Sequence, residues 1–187
     1  MKLFLTRHPQ TRANQEGLVL GRGDSRPTPE GVAVFRRVLD CLDAEAIALV
    51  ISSPLPRALA GARMAAGFFN RRLEIEPGLA ELSCGQWEGR PRSELGLANR
   101  SIRRTWTDRP PGGESCQDAE KRLSPLVQRL KRENRPGAAL VVGHAAVNRV
   151  FLKLWLNLDS DQALTLEQAF HEVFVLDDQG GLKVVPA

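Results

Sequence analysis

The sequence contains no tyrosine, and phenylalanine and tryptophan bring its aromatic content only to 5%. Proteins that bind single-stranded nucleic acid without sequence preference stack bases on aromatic side chains beside a basic groove. This chain has no basic stripe with interleaved aromatics, so we expect no nucleic-acid partner. Its formal net charge of +4 comes largely from scattered arginines. A modest positive charge fits an anionic ligand but does not by itself require one.

Long apolar runs are missing as well, which argues against a membrane partner. No run approaches the ~20 residues that span a bilayer, and Arg7 interrupts the N-terminal apolar stretch before a signal-peptide region can form. We therefore expect a cytoplasmic protein. The three cysteines, Cys41, Cys84 and Cys116, form neither a C-x-x-C pair nor a zinc pattern, and we expect them to be reduced thiols.

The chain alternates between strand-like and helix-like segments. Apolar and β-branched runs predict strands at residues 2–6, 47–51, 73–76, 138–142, 170–176 and 182–185. Apolar spacing and capping signals predict helices at residues 29–42, 55–69, 93–99, 115–134 and 146–156. Residues 7–27 are rich in Gly, Pro, Asn, Asp and Arg and predict a long loop. The alternation predicts one α/β domain over residues 1–187, a three-layer sandwich with a mostly parallel central sheet and helices on both faces.

Polar side chains follow three of the predicted strands directly. Arg7 and His8 follow the first strand, Arg57 follows the second closely, and His144 follows residues 138–142. In open α/β sheets, ligands bind beyond the carboxyl ends of the strands. We therefore expect these four side chains to meet in one cleft.

Two guanidinium groups and two imidazoles suit a tetrahedral dianion. Arginine presents a planar fork that matches phosphate oxygens, and a neutral imidazole has a lone pair that can attack phosphorus. Nearby positive charge would lower the pKa of the imidazole and keep it neutral. Helix N-termini after Pro54 and His144 would add backbone donors.

Each of these residues also has a structural interpretation. A lone histidine after a strand is usually a hydrogen-bonded surface or core residue, and Arg57 could be a solvated side chain near the start of a helix. His8 and His144 could ligate zinc together with Glu81, but no H-E-x-x-H helix supports that alternative. The shared placement at strand ends favours the functional interpretation.

At this point the residues resemble the motifs of the histidine phosphatase superfamily, which includes the cofactor-dependent phosphoglycerate mutases. The similar stretches run in the family's order: Thr6-Arg7-His8 with Thr11 and Asn14, Ser52-Ser53-Pro54-Leu55-x-Arg57, Glu81-Leu82-x-x-Gly85-x-Trp87-Glu88-Gly89, Pro111-Gly112-Gly113-Glu114-Ser115, and Val141-Val142-Gly143-His144.

The resemblance implies a phosphomonoester hydrolase that works without a cofactor or metal, because the arginines take the place of the cation. It implies that His8 carries the phosphoryl group as a phosphohistidine. It also implies that Glu81 protonates the leaving oxygen and then activates water. The implied ligands of the phosphoryl oxygens are Arg7, Asn14, Arg57, His144 and the amide of Ala145.

The sequence departs from the family's usual pattern at several positions. Pro9 replaces the usual Gly, which removes an N–H and restricts His8 to extended geometry. Gln10 replaces a common Glu, and Gly61 stands where Thr is frequent. Gly143 and Ala145 flank His144 where the family often has Ser or Thr and Gly, and a positive φ at Ala145 would be strained.

The Pro111–Ser115 stretch in a short chain is similar to α-ribazole phosphatases, so α-ribazole 5′-phosphate is the leading specific expectation. The expected partner is thus a small phosphorylated metabolite, and no pattern predicts an oligomer. Phosphoglycerate mutase-type phosphoryl transfer is an alternative, although mutases usually carry extra segments. A phosphate-binding protein without turnover is another, which the presence of both His8 and Glu81 disfavours.

Overall fold

The computed structural model describes residues 2–97, 101–133, 136–177 and 180–187. The strands are β1 Lys2–Arg7, β2 Ile47–Ser52, β3 Leu73–Ile75, β4 Ala138–Gly143, β5 Glu172–Leu176 and β6 Leu182–Pro186. The helices are α1 Arg12–Gln15, α2 Pro29–Asp40, α3 Pro56–Phe69, α4 Cys116–Arg132, α5 Ala145–Leu156 and α6 Ser160–Leu164. Within these ranges, no helix has the length and apolar character needed to cross a membrane.

The six strands form one sheet in the order β3-β2-β4-β1-β5-β6. The β3, β2, β4 and β1 strands pair in parallel, whereas β5 runs antiparallel to β1 and β6 runs antiparallel to β5. The prediction of a mostly parallel sheet is therefore confirmed. The two antiparallel strands come from the C-terminal segment, which has no crossover helix between them.

Helices cover both faces of the sheet, as the sequence predicted. Alternate residues of β1 point to opposite faces. Leu3 and Leu5 join a buried cluster with α4 and α5, whereas Phe4 joins a second cluster with α2 and α3. This division gives the three layers of the sandwich.

The predicted helix starts coincide with capping interactions. The side chain of Thr28 accepts a hydrogen bond from the Gly31 amide, and Pro29 occupies the first turn of α2. Ser115 and Asp118 form a reciprocal capping box at the start of α4. These local signals therefore fixed where both helices begin.

Two predictions of local structure were wrong, and one helix was not predicted. The predicted loop over residues 7–27 contains the short helix α1, which Thr11 and Asn14 cap reciprocally. Residues 93–96 form turns and residue 97 is irregular, where a helix was predicted, and Gly96 adopts a φ of +65° that interrupts helical geometry. The rest of that predicted helix, residues 98–99, lies outside the described residues, as does residue 134 at the predicted end of α4. The sequence prediction also missed α6.

Two of the departures from the family pattern, Pro9 and Gly61, face each other: Pro9 follows His8, and Gly61 lies in α3. A Cβ atom added to Gly61 would lie 2.6 Å from Cδ of Pro9 and 3.2 Å from Cζ of Phe35. The proline ring cannot swing away, because it is closed onto the backbone. The two departures therefore compensate each other sterically.

We predict that Gly61→Ala destabilises the protein, because overpacking costs roughly 1–3 kcal/mol and exceeds the gain in helix propensity of about 1 kcal/mol. In a Pro9→Gly background, the same substitution should destabilise the protein much less, or even stabilise it. Chemical denaturation of the four proteins in the cycle measures this coupling.

Gly67 provides the matched control, because it lies on the same helix with no atom within 4 Å of an added Cβ. Gly67→Ala should stabilise the protein in both backgrounds. An equal effect of Gly61→Ala in both backgrounds would show that Pro9 and Gly61 are not coupled.

Candidate active site

The sheet order places the three predicted strand ends side by side, with β4 between β2 and β1. The ladder continues past the strands: the His8 amide donates to the Gly143 carbonyl at 3.0 Å, and the Ser53 amide donates to the Val142 carbonyl at 3.1 Å. The imidazoles of His8 and His144 consequently lie close together, with ring centroids 5.1 Å apart.

His8 is buried, and its two ring nitrogens have different surroundings. Nδ1 lies 2.7 Å from the carbonyl oxygen of Pro9. A carbonyl can only accept, so the proton belongs on Nδ1 and the lone pair on Nε2. Burial, followed by the charge of Arg57, holds the pKa of His8 well below its ordinary value. The side chain is therefore a neutral imidazole whose Nε2 can act as a nucleophile.

The Arg57 guanidinium lies directly against this lone pair. Its Nε donates to Nε2 of His8 at 3.3 Å, while its two terminal nitrogens donate to the carbonyls of Gly23 and Gly21 at 2.5 and 2.7 Å. Only 2% of the residue is exposed, and burial lowers its pKa. No carboxylate of the described residues forms a salt bridge with it, so an anionic ligand would complete its environment.

Arg7 supplies the second guanidinium. Its Nη1 donates to the main-chain carbonyl of Gln168 at 2.7 Å, and its planar group stacks 3.8 Å from the ring centroid of Phe170. Burial lowers its pKa to about 10. Its Nε is buried and has no partner among the described residues, which leaves a donor for a ligand.

His144 completes the group of buried side chains. Its Nε2 lies 2.7 Å from Oγ of Ser53, whereas its Nδ1 is buried without a partner among the residues the structure describes. Burial, followed by the neighbouring His8, holds the pKa of His144 well below its ordinary value. Buried polar atoms of this kind normally have a hydrogen-bond partner, and a phosphoryl oxygen could provide one for Nδ1.

Glu81 occupies the N-terminus of α5. Its Oε1 accepts from the amides of Leu82 and Val147 at 3.0 Å each, and its Oε2 accepts from the amide of Ala146 at 3.2 Å. Two of the amides that follow His144 therefore bind Glu81 and are not free for a phosphate. The amide of Ala145 remains, and its φ is not positive, so the anticipated strain is absent.

Asn14 lines the same cavity as these side chains. Its Oδ1 accepts from both the amide and the hydroxyl of Thr11, at 3.1 and 2.9 Å. Because this bond fixes the orientation of the amide group, only Nδ2 could donate to a ligand. The structure thus brings every predicted site residue to one cavity or its immediate border.

Two carboxylates, Glu88 and Glu114, hold the loop around Gly21 and Arg22 that borders the site, and sequence reasoning did not predict these contacts. Glu88 Oε1 accepts from the amides of Arg22 and Cys84, and Gly21, at φ +51°, lies so close that a Cβ atom would overlap Glu88. Arg22 also forms a salt bridge with Glu114 at 2.7 Å. Glu88 and Glu114 are thus bound in the scaffold, and neither lines the cavity. The only sequence signal for this arrangement was the resemblance of their motifs.

The cavity in front of His8 has a volume of about 580 Å³, which lies in the usual range for small-molecule sites. Beyond the phosphate-sized centre, its lining combines apolar and basic residues with one further carboxylate and a hydroxyl: Leu18, Leu20, Arg92, Ser101, Ile102, Arg103, Arg149 and Glu167. Within the described ranges, no three His, Cys, Asp or Glu side chains are grouped as metal ligands.

With this geometry in place, comparison with known proteins gives the family. The family model described as histidine phosphatase superfamily (branch 1) matches residues 3–185. The chain belongs to this superfamily. The prediction of a phosphatase of this family is therefore confirmed.

Relatives of this histidine phosphatase carry several different substrate names. An adenosylcobalamin/α-ribazole phosphatase from Escherichia coli is 29% identical over 152 residues, which are 79% of this chain and 75% of that protein. A glucosyl-3-phosphoglycerate phosphatase from Mycolicibacterium vanbaalenii is 30% identical over 133 residues, which are 69% of this chain and 59% of that protein. A bifunctional protein from Mycobacterium tuberculosis is 30% identical over 164 residues, which are 85% of this chain but only 45% of that protein.

Solved structures agree on the fold. A mycobacterial glucosyl-3-phosphoglycerate phosphatase in complex with VO3 gives a TM-score of 0.85 at 20% identity, covering 100% of this chain and 96% of that chain. The α-ribazole phosphatase from Shigella flexneri gives 0.83 at 24% identity, covering 100% and 95%. The predicted α/β architecture is confirmed.

The lowered pKa values of His8 and His144 predict that stability falls as the pH drops below about 6.5. The unfolded chain then binds protons that the folded protein does not, so each histidine contributes a slope of at most about 1.4 kcal/mol per pH unit. We expect His8→Asn and His144→Gln each to flatten this slope. Denaturant unfolding between pH 5 and 7 in phosphate-free buffer measures it.

His171→Gln is the matched control, because His171 is exposed and lies outside the cavity. A wild-type slope that neither buried-site variant changes would mean that His8 and His144 bind protons equally in the folded and the unfolded protein, so that folding does not lower their pKa values.

Proposed function

We propose that this histidine phosphatase hydrolyses a small phosphomonoester through a phosphohistidine on His8. The observation that carries this proposal is the Nε2 lone pair of a buried, neutral His8, which lies against the guanidinium of Arg57. A nucleophile beside a cation that has no salt bridge among the described residues suits a phosphoryl group better than a neutral ligand.

In the first step, the phosphoryl oxygens bind the free donors of the site. These are Arg7 Nε, the remaining N–H groups of Arg57, His144 Nδ1, Asn14 Nδ2 and the Ala145 amide. Nε2 of His8 attacks phosphorus as the ester P–O bond breaks. Protonated Glu81 gives its proton to the leaving oxygen, so an alcohol departs.

The Pro9 carbonyl has a specific part in this step. When Nε2 bonds to phosphorus, positive charge develops on the imidazole ring. The hydrogen bond from Nδ1 to the Pro9 oxygen, 2.7 Å long, stabilises that charge and keeps the ring oriented. Pro9 thus offers an acceptor although it lacks an N–H.

In the second step, water attacks the phosphorus of the phosphohistidine. The Glu81 carboxylate takes a proton from this water, and the N–P bond breaks. His8 returns to its neutral form and inorganic phosphate leaves. Phosphoryl transfer depends mainly on positioning and charge stabilisation, and in this site Arg7 and Arg57 supply the positive charge. We therefore propose that turnover needs no metal and no cofactor.

For the physiological substrate, we propose α-ribazole 5′-phosphate. Its support is the similarity to the Escherichia coli enzyme and a cavity large enough for a leaving group well beyond the phosphoryl group. Glucosyl-3-phosphoglycerate is a second candidate, and two observations favour it. One relative is named for this substrate, and three further arginines of this chain, Arg92, Arg103 and Arg149, line the cavity. Phosphate release from each compound would decide between them.

We predict that p-nitrophenyl phosphate labels His8 with an acid-labile phosphoryl group in the presence of EDTA. Rapid quenching followed by mass spectrometry should locate the group, and His8→Asn should lack it. Burial raises the pKa of the Cys84 thiol to about 11, so we expect no label there. A label on Ser53 or Cys84, or turnover that EDTA abolishes and Zn²⁺ or Mg²⁺ restores, would overturn the proposal.

We predict that Glu81→Gln slows the first step by ~10²–10⁴-fold for an alkyl phosphate but far less for p-nitrophenyl phosphate. Nitrophenolate departs without much help, whereas an alkoxide needs a proton as the P–O bond breaks. Single-turnover measurements of His8 phosphorylation test the two leaving groups separately from the later attack of water.

Glu167→Gln is the matched control, since Glu167 also lines the cavity. It should leave the ratio of the two first-step rates unchanged. Equal slowing of both substrates by Glu81→Gln would exclude Glu81 as the general acid.

A further inference from the structure

Two buried amide side chains lie behind the site, Asn148 on α5 and Gln168 in the segment between α6 and β5. Asn148 Nδ2 donates to the Thr6 carbonyl at 3.0 Å and to Oε1 of Gln168 at 2.8 Å. Gln168 Nε2 donates to the Leu5 carbonyl at 2.8 Å and to the Glu172 carbonyl at 3.3 Å. The pair therefore binds the carbonyls of Leu5 and Thr6, the two residues of β1 immediately before Arg7.

Gln168 also contacts the guanidinium of Arg7 directly. Its main-chain oxygen accepts from Arg7 Nη1 at 2.7 Å, and Phe170, two residues later, stacks on the same guanidinium at 3.8 Å. Residues 166–169 form no helix or strand, so regular secondary structure does not fix their carbonyls. Besides the bond to Arg7 itself, the side chain of Gln168 ties this segment to β1 through the Leu5 carbonyl. Arg149 Nε separately donates to the Leu166 carbonyl at 2.9 Å.

Asn148 reaches the end of the neighbouring strand as well. A Cβ atom on Gly143 would overlap Oδ1 of Asn148, so Asn148 packs against the backbone just before His144. It thus contacts the ends of both β1 and β4. Arg7, the last residue of β1, and His144, which follows the last residue of β4, are both among the proposed phosphate ligands.

The burial of these amides is not explained by packing alone. Asn148 is fully buried, and its Oδ1 has no partner among the described residues. Burying a polar atom without a partner costs free energy that an apolar side chain would not. The other buried residues of α5 are apolar: Val147, Val150, Phe151, Leu152 and Trp155.

We propose that Asn148 and Gln168 are positioning residues that hold the Arg7 guanidinium at the phosphoryl site. The inference rests on the proposed function, since it assigns Arg7 to the phosphoryl oxygens. A guanidinium held by a carbonyl and an aromatic ring keeps its buried Nε aimed in one direction, and small misplacements of such groups are costly.

Vanadate binding tests the inference without any turnover, because vanadate offers oxygens to the same donors. Asn148→Leu keeps the approximate size of the side chain but removes its hydrogen bonds. We expect it to weaken vanadate affinity by ~10-fold to 100-fold in calorimetry. In an Arg7→Ala background, the same substitution should have little further effect, because the group that it positions is absent.

Gln168→Met is the second variant and covers the case in which Asn148→Leu does not fold. It removes the amide contacts but keeps the main-chain carbonyl, and the same non-additive pattern with Arg7→Ala is expected. Val150→Ala, a truncation on the buried side of α5, is the matched control. It should lower the melting temperature and leave vanadate affinity unchanged.

The outcomes separate this inference from the proposed function. An equal loss of vanadate affinity in the wild-type and Arg7→Ala backgrounds would overturn the positioning role, and so would unchanged affinity in a folded Asn148→Leu or Gln168→Met variant. Failure of wild-type His8 to become phosphorylated would instead contradict the proposed function, and the vanadate measurements would still decide the role of the amide pair.

Discussion

The buried guanidinium of Arg57, which forms no salt bridge with any carboxylate in the described part of the chain, sets the conditions for the rest of the site. Burial, and after it the charge of Arg57, lowers the pKa of His8, whereas burial, then His8 and then Arg57, lower the pKa of His144, so both imidazoles are neutral beside the guanidinium. Its terminal nitrogens bind the carbonyls of Gly21 and Gly23, which fixes the loop that borders the cavity. The charge that this arrangement leaves unneutralised is the charge that an anionic substrate would match.

The backbone and side-chain donors of the site divide into those that bind Glu81 and those left free for an anionic ligand. The first amides of α5 could have bound a phosphate, but Ala146 and Val147 bind Glu81 instead. This holds the Glu81 carboxylate on the same cavity as His8, where the proposed mechanism needs a general acid, and leaves the arginines, His144 and the Ala145 amide as the proposed ligands of the anion. A carboxylate and a phosphate can therefore share one cavity although both are negative.

Three of the departures from the family pattern, at positions 9, 61 and 143, are explained by the residue that each contacts in space. Pro9 and Gly61 are 52 positions apart in the chain, yet the proline ring fills the volume that a side chain at position 61 would need. Gly143 leaves room for Asn148 in the same way. Each departure looks like an isolated exception in the sequence, because nothing in the local pattern shows which distant residue it faces.

The sequence by itself determined the α/β alternation, the capped starts of α2 and α4, and the strand ends that carry Arg7, His8, Arg57 and His144. These features follow from local rules of periodicity, capping and strand-end placement. Only the tertiary structure decided the protonated nitrogen of His8, the partners of Glu81, and the amide pair Asn148–Gln168. Those depend on distances between segments far apart in the chain, and a hydrogen bond or a steric overlap is fixed within a few tenths of an ångström. No local pattern carries that information.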